Sequence, residues 1–211
     1  MSLMAKDKGG GDFPLIDPGT HQAVCYGVVD LGTHENTIYQ TKSQKVCVMW
    51  ELPDQRIEYD KDGLHHNIAR TISKIYTLSI NEAKSNLGKD LVSWRGKPFT
   101  EEEKQGFDIF SILEANCLLQ IIHVQKNGKT YANISAIVKL PKNMQRLKPE
   151  SAIIQYSMAD NGFEIPGTVP EWMQKLIKKS EEFVGGSQPV GDEVEGENVQ
   201  VPPTEDDDIP F

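Results

Sequence analysis

The sequence predicts a mainly β fold that carries a helical insertion and a charged C-terminal tail. Five short segments rich in apolar, β-branched and aromatic residues are typical of strands, and the third of them alternates apolar and polar side chains. Two helix-start motifs fall between the third and the fourth of these segments. The last part of the chain is rich in Gly, Glu, Val, Pro and Asp, a composition that cannot bury a core.

The first three predicted strands span residues 20–32, 43–52 and 69–80. We expect Pro53 to end the second strand, because proline has no N–H to donate to a sheet. Residues 52–67 are rich in charged and polar side chains, and this composition predicts a long loop between the second and third strands.

The last two predicted strands span residues 115–125 and 129–140. Between them stands Asn127-Gly128, the two-residue signal for a type I′ hairpin turn. Three strands, a helical insert and two further strands follow the order of an OB-fold, a five-stranded barrel that commonly binds oligonucleotides. Mixed α+β folds share this order and remain an alternative.

The helical insertion is predicted from two capping boxes, in which a hydroxyl and a glutamate satisfy the first backbone N–H groups of a helix. Ser79 with Glu82 forms the first box, and Thr100 with Glu103 forms the second. Apolar residues at helical spacing follow the two boxes: Leu87, Leu91 and Trp94 after the first, and Phe107, Phe110 and Leu113 after the second.

A further amphipathic helix is predicted over residues 170–183, with an apolar face made of Trp172, Met173, Leu176 and Ile177. The chain is therefore expected to have four parts: a disordered N-terminus (1–12), an OB-fold domain (13–157), an extension with a helix (158–184) and a disordered acidic tail (185–211).

Charge is distributed unevenly along the chain. The formal net charge is −9, from 31 acidic and 22 basic residues, but eight of the acidic residues lie in residues 185–211, which hold no lysine or arginine. Residues 120–149 show the opposite bias and have no acidic residue. Their basic residues are Lys126, Lys129, Lys139, Lys142, Arg146 and Lys148. This asymmetry predicts a polyanion-binding body with an interaction tail.

Several classes of protein are disfavoured by the sequence. No run of 18 apolar residues exists, so we expect no transmembrane helix, and the first residues lack the apolar region of a signal peptide. The three cysteines lie in apolar runs and are interpreted as buried thiols. His65-His66 and His34 have no carboxylate or cysteine at a ligand spacing, so we expect no metal site. Catalytic motifs are scarce and no carboxylate cluster for metal-assisted hydrolysis is found, so we expect no cofactor and no enzymatic activity.

The predicted hairpin presents a mixed face. A two-residue turn places Val124 opposite Tyr131, Ile122 opposite Asn133 and Gln120 opposite Ser135. The other face, with His123 opposite Ala132, Ile121 opposite Ile134 and Leu119 opposite Ala136, resembles a core.

An aromatic side chain among amides and lysines suits single-stranded nucleic acid, because bases stack on the ring while lysines contact phosphates. An ordinary solvated face is the alternative. Candidate DNA-binding residues combine this face with other aromatic and basic side chains: Tyr131, Lys126, Lys129, Asn133, Lys74, Tyr76, Arg70, Trp94, Arg95 and Lys139. We expect Trp50 to be a core residue, since Val48 and Leu52 share its face.

The final residues, Asp206-Asp-Asp-Ile-Pro-Phe211, resemble the acidic tip of bacterial single-stranded-DNA-binding proteins. That resemblance implies that Asp206, Asp207, Asp208, Ile209, Pro210 and Phe211 dock onto replication and repair enzymes. Phe211 would supply an apolar anchor and a terminal carboxylate, and the aspartates would steer the tail toward basic surfaces. A solubilising acidic tail is the alternative.

The body instead resembles phage-encoded single-stranded-DNA-binding proteins of OB-fold type, through residues 76–117 and 127–142. The resemblance implies a non-enzymatic protein that coats single-stranded DNA in the cytoplasm of a bacterial host cell and recruits host or phage proteins. A homo-oligomer and a monomer are both compatible with the sequence. A recombination mediator or strand-annealing protein is a second interpretation, and a nuclease or replication enzyme bearing the tip is a third. Stacking platforms accept DNA and RNA alike.

Overall fold

The computed structural model describes residues 14–37 and 40–186, so the predicted N-terminal segment 1–12 and the tail from residue 187 onward lie outside it. The described residues form one sheet with several short helices. Its strands are β1 (Gly19–Asn36), β2 (Thr41–Lys61), β3 (Leu64–Thr77), β4 (Asn116–Lys126), β5 (Lys129–Lys139) and β6 (Ile154–Tyr156).

β1 lies at the centre of the sheet, antiparallel to β2 on one side and to β4 on the other. β2 pairs with β3 and β4 pairs with β5, which gives the order β3-β2-β1-β4-β5. β6 joins β1 in parallel, opposite Gly27, Val28 and Val29. The mainly β prediction is confirmed. Closure into a barrel is not observed, because β3 and β5 are not paired with each other in the described part of the chain.

The predicted end of the second strand at Pro53 is wrong. β2 continues to Lys61 and remains paired with β3. Leu52 pairs with Arg70 and Arg56 pairs with Ala69, so residues 53–55 form a bulge in β2. Proline is tolerated at a bulge because no ladder hydrogen bond is lost there.

The predicted loop over residues 52–67 is therefore a two-stranded ribbon. Its turn is Asp62-Gly63, where φ is 53° and 77°, as a type I′ turn requires. The pairing of β1 with β2 ends at Glu51, so the ribbon continues beyond that pairing. Tyr59 and His66 stack on each other across it, with ring centroids 4.9 Å apart.

The helical insertion begins later than predicted. α1 (Asn86–Arg95) is capped by Ser85, whose hydroxyl accepts the Gly88 N–H at 3.2 Å, so the box of Ser79 and Glu82 is wrong. The Glu82 carboxylate instead accepts the Phe99 N–H at 3.0 Å. Phe99 lies in the segment that connects α1 to the next helix.

The second capping box is confirmed at α2 (Glu101–Gln105). The Thr100 hydroxyl accepts the Glu103 N–H at 3.2 Å, and the Glu103 carboxylate accepts the Thr100 N–H at 2.8 Å. A 3-10 turn (Ile109–Ile112) then leads into β4.

We call the side of the sheet that packs against α1 its inner face. It buries large aromatic and aliphatic side chains in one cluster, including Val28, Val48, Trp50, Leu52, Tyr76, Leu91, Trp94, Leu119, Ile121 and Ile137. The prediction that Trp50 is a core residue is confirmed, since it is 1% exposed. Cys25, Cys47 and Cys117 are buried free thiols, as predicted.

The C-terminal extension packs on the opposite side, the outer face. It starts before the predicted boundary at residue 158 and consists of β6, α3 (Met158–Asn161), α4 (Glu171–Ile177) and α5 (Glu181–Gly186). Its buried side chains join those of β1 and β2 in a second cluster made of Tyr26, Val29, Leu31, Cys47, Met49, Ile154, Tyr156, Val169, Met173 and Ile177. The extension therefore covers the outer face of β1 and β2.

A buried carboxylate fixes the point where the extension begins. Glu51 is fully buried on β2 and accepts the Glu150 N–H at 2.8 Å and the Ser151 N–H at 2.9 Å. The Ser151 hydroxyl donates a third hydrogen bond to it, at 2.6 Å. These three bonds compensate the burial of the carboxylate and hold residues 150–151 on the sheet.

Candidate nucleic-acid interface

The β4–β5 hairpin turns as the sequence predicts. Asn127 and Gly128 have φ of 50° and 74°, the two positive values of a type I′ turn. This turn fixes the register near the tip, where Val124 lies opposite Tyr131 and Ile122 opposite Asn133.

The predicted register fails farther from the tip. Gln120 lies opposite Ala136 rather than Ser135, and Leu119 lies opposite Ile137 rather than Ala136. Ser135 is the extra residue of a bulge, and its hydroxyl donates to the Gln120 carbonyl oxygen at 3.1 Å. The bulge turns Ile137 into the inner core, where it is 1% exposed.

The outer face of the hairpin exposes apolar and aromatic side chains along its length, with Tyr131 near the tip, Val138 at the far end and Ile122 between them. Ile122, Tyr131 and Val138 are 40%, 42% and 41% exposed. We define the β4–β5 outer face by the side chains that the strand alternation and the bulge place on this side: Leu118, Gln120, Ile122, Val124, Tyr131, Asn133, Ala136 and Val138. Asn133 is half-buried among them.

Two lysines lie at one end of this face. Lys126 and Lys129 are exposed and lie opposite each other next to the turn, on the same side as Val124 and Tyr131. The prediction that Tyr131, Asn133, Lys126 and Lys129 share a face is therefore confirmed.

The other end of the face is bordered by the chain that connects β5 to the extension. Gln22 Nε2 donates to the Gln145 carbonyl oxygen at 2.7 Å, and the Asn116 side chain forms two hydrogen bonds of 2.8 Å with the backbone of Leu147. We call residues 141–150 the crossing segment, because these bonds lay it across β4 and β1. It carries Lys142, Arg146 and Lys148, all exposed.

The six basic residues from Lys126 to Lys148 form no ion pair with any residue that the structure describes. Other basic residues are paired: Lys42 with Glu181, Arg56 with Glu150, Lys74 with Asp90, and Lys104 with Glu101. Unpaired cations at both ends of an exposed apolar strip create a positive surface that can bind an anionic chain.

Two of the predicted DNA-binding residues on β3 face the inner core instead. Tyr76 is 4% exposed and its hydroxyl donates to Asp90 at 2.8 Å, so its ring is not available for stacking. Lys74 pairs with the same carboxylate at 3.0 Å and lies 5.1 Å from the Tyr76 ring centroid. The spacing correctly places Lys74 and Tyr76 on one face, but α1 covers that face.

Trp94 and Arg95 also belong to the packed insertion. Trp94 is 5% exposed, lies 5.7 Å from Trp50 between ring centroids, and donates its Nε1–H to the Asn116 carbonyl oxygen. The Arg95 guanidinium lies 4.5 Å from the Phe99 ring centroid, lies 5.1 Å from that of Phe107, and pairs with Glu103. Both side chains hold the insertion together and are removed from the candidate interface.

Arg70 and Lys139 lie on the inner side of the sheet as well. Arg70 is partly buried on β3, where desolvation lowers the pKa of its guanidinium. The Lys139 side chain packs over Gly96 at the C-terminal end of α1, where its Cδ leaves no room for a larger residue than glycine. Neither shares the face of Tyr131.

Three exposed features escaped the sequence interpretation. Val138 is an ordinary strand residue in sequence, and only the register of β5 after its bulge shows that it lies on the same face as Tyr131. The ribbon of β2 and β3 was signalled by Asp62-Gly63, a hairpin dipeptide. Trp172, predicted on the buried face of α4, is 39% exposed, while Met173 and Ile177 fill the core.

The predicted docking residues from Asp206 to Phe211 lie outside the described residues. Within residues 14–37 and 40–186, no helix is long and apolar enough to cross a membrane, and no three His, Cys, Asp or Glu side chains are grouped to hold a metal ion. No protein-family model and no curated protein matches this chain.

Proposed function

We propose that this protein binds single-stranded DNA through the β4–β5 outer face. One observation carries the proposal: Tyr131, Ile122 and Val138 form an exposed aromatic and aliphatic strip whose two ends carry unpaired cations. Bases stack on Tyr131 and contact the aliphatic side chains. Phosphates are neutralised by Lys126 and Lys129 at the tip and by the cations of the crossing segment.

Single strands suit this surface better than a duplex. A duplex keeps its bases stacked on one another and offers mainly phosphates and groove edges to a protein. The strip supplies apolar contacts, which only an unstacked base can use. The binding is therefore sequence-tolerant, since every base has a face that stacks.

We further propose that the fold is an open relative of the OB-fold. An OB-fold joins five strands into a partly open barrel. The strand order β3-β2-β1-β4-β5 supports this assignment, and α1 packs against both edge strands, β3 and β5, at the position where a barrel would close.

The biological setting that we propose is DNA replication, recombination or repair of a phage in the bacterial cytoplasm. The acidic tip at Asp206–Phe211 recruits host or phage enzymes to the coated strand. The proposed role is non-enzymatic, and the protein acts as a homo-oligomer or monomer that protects the strand and presents the tip.

The test is a fluorescence anisotropy titration of the full chain with labelled single-stranded DNA, duplex DNA and RNA over a salt series. We expect the single strand to bind more tightly than the duplex. The logarithm of the binding constant should fall with the logarithm of salt concentration by about 0.7 for each phosphate neutralised. Equal affinity for the duplex, or affinity that does not change with salt, would contradict the proposal. Strand annealing in the same samples would favour the annealing-protein interpretation, and metal-dependent cleavage would favour a nuclease.

A further inference from the structure

α4 exposes a tryptophan beside lysines on the surface of the C-terminal extension. Met173 and Ile177 are 1% and 0% exposed and attach the helix to the sheet, whereas Trp172 is 39% exposed. More than half of the Trp172 surface is covered by packing, and the rest of the indole is open to solvent. It is available to a ligand.

The cations near Trp172 are unpaired. Lys175, Lys178 and Lys179 are exposed and form no ion pair with any residue in the described ranges. Lys175 follows Trp172 by three residues within α4, a spacing that puts both side chains on one side of the helix. Lys179 lies in the turn directly after α4, where its N–H donates to the Leu176 carbonyl oxygen at 2.9 Å.

Two of the acidic residues near α4 have partners elsewhere. Glu181 pairs with Lys42 at 2.6 Å, and Glu182 accepts the Thr33 N–H at 2.7 Å and its hydroxyl at 2.6 Å. Glu171 is exposed next to Trp172, in the first turn of α4, and offsets one of the three lysine charges. The surface around Trp172 still has more positive than negative charge, because three lysines face this one carboxylate.

α4 lies in line with the β4–β5 outer face. Along β1, Gly19 lies opposite Ile121 of β4, Gln22 contacts the crossing segment, and Gly27 begins the pairing with β6. The side chains under α4, which include Val29 and Leu31, come next on the same strand and the same outer side. From Gly19 toward Leu31, β1 therefore runs first beside the hairpin, then beside the crossing segment with its cations, and finally beneath α4.

We propose that Trp172, Lys175 and Lys179 form a second subsite for the same single-stranded nucleic acid, in which a base stacks on the indole and the lysines contact phosphates. This inference rests on the proposed function. It extends the bound strand from the β4–β5 outer face across the crossing segment onto the C-terminal extension, and it assigns the extension a role in binding besides its role in packing.

The three tryptophans of the chain make the test specific. Trp50 and Trp94 are 1% and 5% exposed in the inner core, so emission from an exposed indole reports on Trp172. The full chain is titrated with a labelled DNA single strand of about 16 nucleotides, the upper end of the range for one OB-fold. Anisotropy of the label and tryptophan emission are read in the same samples, and the emission should be quenched in parallel with binding.

Three variants and one control separate the contribution of the indole from that of the lysines. Trp172→Phe keeps an aromatic ring and should bind with nearly unchanged affinity while the quenching disappears. Trp172→Ala should lose at least about fivefold in affinity, the lower end of the range for one stacked base. Lys175→Gln with Lys179→Gln should also weaken binding and lower the salt slope, whereas Lys104→Gln, which removes a lysine paired in α2, should not.

The outcomes separate the subsite from the proposed function. If the labelled strand binds but Trp172 emission is unchanged, the subsite is contradicted and the proposed function stands. If the emission is quenched but neither Trp172→Ala nor the double lysine variant loses affinity, the subsite is contradicted as well. If anisotropy shows no binding of the single strand, the proposed function fails and the subsite fails with it.

Discussion

Lys126 and Lys129 are direct cross-strand neighbours at the tip of the β4–β5 hairpin, and neither forms an ion pair with a described residue. Like charges placed directly opposite each other destabilise a sheet. A phosphate bound between the two lysines would offset their repulsion. The proposed complex with DNA would therefore relieve an unfavourable interaction that is present in the free protein.

The double variant Lys126→Gln with Lys129→Gln should bind single-stranded DNA more weakly, because two cations that meet phosphates are lost. The salt slope should decrease by about 0.7 for each phosphate no longer neutralised. Anisotropy titrations at several salt concentrations measure both quantities. Lys104→Gln is the matched control, and an equal effect of that control would mean that only the total charge matters.

Glu51→Gln should destabilise the fold. The amide keeps the shape of the carboxylate but turns an NH₂ group toward backbone or hydroxyl donors of residues 150–151, which leaves a buried donor without an acceptor. We expect a loss of about 1–3 kcal/mol in the free energy of unfolding. Urea denaturation measures it.

Glu150→Gln serves as the control for that experiment. Its carboxylate is 51% exposed and pairs with Arg56 at the surface, where screening by water makes an ion pair weak. A loss of stability as large as that of Glu51→Gln would show that the three buried hydrogen bonds are not what holds the extension.

Stability should fall at alkaline pH. Burial raises the pKa of the Cys25 and Cys47 thiols to about 12, from an ordinary value of 9.0, and it raises the pKa of Cys117 and of Tyr76 as well. The unfolded chain releases these protons at lower pH than the folded chain does. The unfolded state is therefore favoured progressively as the pH rises above about 9.

Urea denaturation at a series of pH values measures how the free energy of unfolding decreases as the pH rises. Cys47→Ala removes one titrating group and should make the alkaline decrease shallower, although the cavity lowers stability at every pH. A free energy of unfolding that stays constant from about pH 8 to about pH 11 would show that these groups ionise equally in both states.

Local signals predicted the central sheet well. A type I′ turn needs positive φ at two successive residues, and Asn127-Gly128 readily adopts it. This dipeptide alone therefore predicts the turn and the register from Lys126 to Ile121. The capping box of Thr100 and Glu103 likewise depends on neighbouring residues alone, and it is present.

Tertiary packing determines where strands end and which aromatic side chains are buried, and local sequence signals do not predict either feature. Pro53 ends a regular strand, but the bulge at residues 53–55 lets β2 continue past it. Tyr76 and Trp94 have the composition of a stacking site, and only the placement of α1 shows that they are buried. Trp172 lies on the edge of the apolar face of α4, and its exposure depends on how the helix sits on β1 and β2.

The tail should compete with DNA for the positive surface. Residues 187–211 carry eight acidic side chains and no lysine or arginine, and their covalent attachment to the body raises their effective concentration for cations such as Lys126 and Lys129. Deleting them should tighten DNA binding, most strongly at low salt, and should abolish partner docking. Phe211→Ala keeps every carboxylate and should lose docking alone. Docking that survives this substitution would show that the phenylalanine is not the anchor.

The most direct test of the account is the affinity of Tyr131→Ala for single-stranded DNA, measured together with its free energy of unfolding. Tyr131 is 42% exposed, so the variant should remain folded with nearly unchanged stability. We expect it to lose about 1–3 kcal/mol of binding free energy, whereas Tyr131→Phe should retain most of the affinity. A stable Tyr131→Ala variant with the parent's affinity would contradict the assignment of the β4–β5 outer face as the DNA-binding site.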